Sequence, residues 1–182
     1  MKSVHLFTKA TIVLGIVAML NVVPAHAQTG NKLNDAEIAS VAVVANQNDI
    51  DFAKIAKQKS KNEQVLQFAA TMARDHQAVI DQAVALVTKL KVTPQDNAVS
   101  KSMKSDAAKT EQQLRSESGK AFDKAYIDNE VAYHKAVISA VENTLIPQAT
   151  NAELKGLLQN VVPTLKAHLE HAEMVQKTVE GK

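Results

Sequence analysis

The chain has 182 residues, 46% of them apolar, with five glycines and no cysteine, so it is long enough for one buried core and has neither disulfides nor cysteine metal knuckles. Its formal charge of +2 is carried by Lys2 and Lys9. Without that terminus basic and acidic residues balance, which excludes an electrostatic binder of nucleic acid.

Residues 1–27 have the three parts of a secretory signal: Lys2 and Lys9, an apolar run from Thr11 to Val23, and Ala25-His26-Ala27 before a cleavage point at Gln28. The run is 13 residues, short of the roughly 20 a helix needs to cross a bilayer. The expectation is an exported, periplasmic protein with no transmembrane span once mature. A flexible segment over residues 28–33 should precede a single helical domain over 34–180.

With no stretch alternating apolar and polar residues, helix is the reading for the rest of the chain. The first helix opens at Asn34 with Glu37 three residues on, a capping box, and runs to about Lys59. Lys54, Lys57, Lys59 and Lys61 cluster near its end, but Asp49, Asp51 and Glu63 flank them, as at a solvated helix end. The second spans about Asn62 to Leu90. Its stripe of Val65, Ala69, Met72, His76, Val79, Ala83, Leu86 and Leu90 alternates steps of four and three, a heptad seam. Val92-Thr93-Pro94 ends it. A polar segment from Asn97 to Glu117, broken at Ser118-Gly119, and a helix from Phe122 to about Asn143 read as one interrupted leg. The last helix starts near Asn151 and runs to about Val179, with a kink expected at Pro163. Short links at Ser60-Lys61 and Thr144 to Thr150 make sequential neighbours antiparallel. The fold class is therefore all-α, an antiparallel four-helix bundle.

Three histidines sit in apolar seams: His76 in the second helix, His134 between Ile127 and Val141, and His168 between Leu165 and Ala172. His171 is one turn beyond His168. Asn48 and Asp49 interrupt the first stripe between Ala45 and Phe52, and a carboxylate facing a core needs a partner or a cation. Glu130 and His134, four apart, project from one helix face. Every leg thus offers a donor near its middle, and imidazole with carboxylate suits iron, zinc or copper. The candidate metal ligands are His76, His134, His168, His171, Glu130 and Asp49, with Asp75 as a supporting partner or surface residue. Measured from helix ends at 1.5 Å per residue, Asp49 and His76 lie about 17 and 23 Å deep, and His134 and His168 about 15 and 25 Å. Met72 reads as core filler, and Tyr126 and Tyr133 as packed aromatics with bonded hydroxyls. No Ser-His-Asp order or phosphate-cradling glycine loop is present.

Ala45-Asn46-Gln47 with Asp49-Ile50-Asp51, Met72-Ala73-Arg74-Asp75-His76, Asn129-Glu130-Val131-Ala132-Tyr133-His134 and His168-Leu169-Glu170-His171-Ala172 resemble a family of exported bacterial proteins of unknown function, often labelled putative outer-membrane proteins. The resemblance covers nearly the whole mature chain. It implies a ferritin-like four-helix fold and no established activity, with Asp75-His76, His134 and His168 on recurring motif positions. The chain carries no Glu-x-x-His, the pairing that di-iron bundles use. The leading expectation is a periplasmic bundle that binds a transition metal through core histidines. A metal-free envelope interaction or stress-protection protein with structural histidines is the alternative, and a metal-dependent redox enzyme the third reading; no catalytic residues are assigned.

Overall fold

Four of the long helices begin on an asparagine whose side-chain oxygen accepts a backbone N–H of the first turn, one of the donors a helix start leaves unpaired. The computed structural model describes residues 32–181; the secretory signal expected over residues 1–27 lies outside them. The elements are α1 (Asp35–Lys59), α2 (Glu63–Leu90), α3 (Ala98–Ser116), α4 (Gly119–Ala140), a π-helical turn (Val141–Leu145), α5 (Ile146–Gln148) and α6 (Ala152–Glu180), with no strand among the described residues.

At the start of α1 the Asn34 and Glu37 side chains each bond the other's backbone N–H, as the capping box requires. Lys91 ends α2 in the left-handed conformation, with φ 53°. α6 runs unbroken through Pro163.

Contacts between helix ends give the topology. The loop after α2 returns to the start of α1, where Gln95 N–H bonds Ala36 O and the Asn97 amide bonds Glu37 O. α3 then follows α1 in parallel, and its far end accepts the Lys59 ammonium at Arg115 O. α4 starts beside the end of α1, where the Ser60 hydroxyl bonds Asp123, and runs back until Thr150 and Asn151 reach Asp35. The bundle is thus α1, α2, α4 and α6 with antiparallel neighbours, while α3 is a crossover packed outside against α1.

This corrects one expectation. The break at Ser118-Gly119 is present, but the chain reverses there, Gly119 taking φ +56°, so α3 and α4 form a hairpin and not one interrupted leg. The sparse apolar content of α3 fits its place: it buries only Ser100, Ala107 and Leu114.

The interior has two halves. Toward the end of α1 it is filled by Phe52, Phe68, Phe122 and Tyr126 with Met72 and Leu114, each large side chain contributing about 1.5–3 kcal/mol by burial. Toward the start of α1 it is aliphatic, built from Ile38, Val41, Ile138, Leu145, Leu158 and Leu165. A belt of polar groups separates the halves.

Candidate metal centre

Asp49 of α1, His76 of α2, Glu130 and His134 of α4 and His168 of α6 are all buried, so each leg of the bundle supplies that belt. The three imidazoles form a near-equilateral triangle, with ring centroids 5.7 Å apart for His76 and His134, 5.2 Å for His76 and His168, and 5.5 Å for His134 and His168. One nitrogen from each lies within 4.8 Å of the others, and Asp49, Glu130 and His134 meet the same limit.

Each ring has one nitrogen bound to an acceptor. His76 Nδ1 is 2.7 Å from the Asn46 side-chain oxygen, whose amide nitrogen is held on Ala42 O. His134 Nδ1 is 3.0 Å from the backbone oxygen of Glu130. His168 Nε2 is 3.1 Å from Asp75 Oδ2. None of these oxygens can donate, so the proton of each neutral ring sits on the nitrogen facing it. The remaining nitrogens, His76 Nε2, His134 Nε2 and His168 Nδ1, carry lone pairs, are buried, and have no hydrogen-bond partner among the described residues.

Two of those lone pairs face a carboxylate, and a second carboxylate lies against the bonded side of the His134 ring. Asp49 Oδ2 is 3.2 Å from His76 Nε2 and 3.6 Å from His134 Nε2, and Glu130 Oε2 is 3.5 Å from His134 Nδ1. Both oxygens of Asp49 and both of Glu130 lack hydrogen-bond donors among the described residues. Acceptors packed against acceptors in a dry interior leave room for a cation, either a proton or a metal.

The electrostatics set the resting state. Burial lowers His168 to about 4, only partly offset by its hydrogen bond to Asp75. Burial likewise lowers His134, with Asp49 pulling the other way. Both rings are neutral at pH 7, the form that binds metals. Burial and the nearby Asp49 push Glu130 well above the usual carboxylate range. Asp75 is held ionised mainly by Arg74, 2.7 Å away, which keeps it an acceptor for His168.

His171, predicted among the ligands, lies apart from the triangle: it is half-buried, its ring edge-on to Phe68 at 5.1 Å. Asn48 turns to Met103 O on α3. Asp75 has the supporting place expected of it. Asn46 was overlooked in the sequence, although it precedes Asp49 by one turn on the same face of α1 and so could have been found. Tyr133 bonds Ala45 O, as predicted for a packed aromatic, whereas the Tyr126 hydroxyl has no partner in hydrogen-bond geometry.

A four-helix bundle with a buried histidine–carboxylate cluster at mid-height is the class these features define. The chain belongs to the family described as domain of unknown function DUF4142, which matches residues 21–175. Among solved structures its fold is similar to that of CopM in the Cu(II)-bound form, with a TM-score of 0.61 and 16% identity, over 80% of this chain and 98% of that one. No curated protein matches. No helix among the described residues is long and apolar enough to cross a membrane.

Proposed function

We propose that this protein binds one transition-metal ion in the periplasm, through His76 Nε2, His134 Nε2 and His168 Nδ1 with Asp49 as the anionic donor. The observation that carries this reading is the set of three unpartnered, buried imidazole nitrogens gathered in one place, two of them beside an unpartnered, fully buried carboxylate. The anchors on the opposite nitrogens support it, because an acceptor behind a histidine fixes its tautomer and raises its basicity. Glu130, once it releases its proton, supplies a second carboxylate beside His134.

Two donors on one ion at about 2.05 Å lie no more than roughly 4.1 Å apart, and one nitrogen from each ring already lies within 4.8 Å of the others. Three imidazoles and a carboxylate suit copper, zinc or iron, and copper binds such sites most tightly of the divalent series. The similar fold of a protein named for its Cu(II)-bound form makes Cu(II) the first ion to test.

The test is calorimetric titration of chelator-stripped protein with Cu(II) and Zn(II), beside the triple variant His76→Ala, His134→Ala, His168→Ala. We expect one ion per chain and a loss of affinity on the order of 100-fold or more in the variant, which circular dichroism must show to be helical. Equal binding by both proteins, or none by either, leaves the histidines structural.

A further inference from the structure

The aliphatic half of the bundle is not filled. A cavity of about 280 Å³ runs through it from Asp49 and the three histidines toward the start of α1. Its walls are aliphatic, with Ala42, Val79, Ala83, Val137, Val141 and Leu158 contributed by all four legs, and its charged groups gather at the histidine end. Along α2 it extends from His76 to Val87, about 16 Å of helix. It reaches the surface beside Val99, which lines it and is 45% exposed.

Two local features keep this space open. Alanines at 39, 42, 45, 83 and 140 stand where larger side chains would close it. The π-helical turn, whose Val141, Thr144 and Leu145 line the wall, widens the α4 leg at that height. The other half of the same bundle packs solid with aromatics, so the void is specific to one end.

An apolar cavity of this size gives water few partners, and such cavities stay dry or take apolar guests. Its volume equals about nine water molecules, the space of a chain of eight to ten methylene-sized groups. The polar end selects the head group: Asp49 offers two buried oxygens without donors, so a hydroxyl can donate there while an acceptor-only carboxylate finds no donor.

We propose that the cavity binds a single-chain aliphatic alcohol of about eight to ten carbons, its tail among the aliphatic walls and its hydroxyl donating to Asp49. This does not rest on metal binding, because it concerns the metal-free protein, where the Asp49 oxygens are available.

The experiment is calorimetric titration of chelator-stripped protein with 1-hexanol, 1-octanol and 1-decanol, and with octanoate. Affinity should rise about fourfold per added methylene until the cavity is full, and octanol should bind at least tenfold more tightly than octanoate. Ala83→Phe and, separately, Ala140→Phe should each weaken octanol at least tenfold with helicity unchanged. Absence of binding, affinity indifferent to chain length, or octanoate matching octanol in the wild-type protein overturns the proposal, whatever the variants do.

Discussion

At the residue scale, Asp49 governs the others. Fully buried and without donors, it adds to the effect of burial in raising Glu130 and lies within 3.2 and 3.6 Å of the free nitrogens of His76 and His134. Glu130 bears a folded-state cost with a definite pH signature. Its proton is held more tightly in the folded than in the unfolded chain, so the cost is absent below about 4.5, the ordinary value, and grows as the pH rises above it. Glu130→Gln should therefore stabilise the metal-free protein at pH 8 by on the order of 1–3 kcal/mol, a gain that urea unfolding should find missing at pH 4. Asp75 acts through His168: Asp75→Asn weakens the acceptor behind that ring, and we expect Cu(II) affinity to fall about 10- to 100-fold. A metal titration unchanged by that substitution would separate His168 from the ligand set.

At the scale of elements, the helix starts were legible because their cause is local. Asn34, Asn62, Asn97 and Asn151 each cap the helix predicted to begin there, through bonds spanning two or three residues. The π-helical turn was not legible, since nothing in Val141–Leu145 departs from helical composition. Its effect explains the mismatch in depth between His134 and His168. Helical chain continues to Gln148, so His134 lies about 21 Å from the end of its leg and His168 about 24 Å from the start of its own, nearly level. The hairpin between α3 and α4 turns on Gly119, where φ is +56° and an added Cβ meets no neighbour within 4 Å. Gly119→Ala should thus cost roughly 1 kcal/mol through backbone strain alone, measurable as a shift in urea midpoint with an unchanged slope.

For the whole molecule, periodicity and caps in the sequence determined the helical class, the helix starts and the burial of His76, His134, His168, Asp49 and Glu130, because each depends on residues within a few turns of one another. Only the tertiary structure decided which donors share one place. His168 and His171 both sit at or near a seam, and the rotation of α6 against α2 sends one to the cluster and the other to Phe68. The role of α3 was likewise invisible locally, since a break at Ser118-Gly119 is equally compatible with a bent leg and with a reversal. Lys59 reaching Arg115 and Asn97 reaching Glu37 select the reversal, and those contacts cross more than fifty residues of chain. The cavity belongs to the same category: alanines at helical spacing read as ordinary helix formers, and become a void only where five of them, from three legs, face one another.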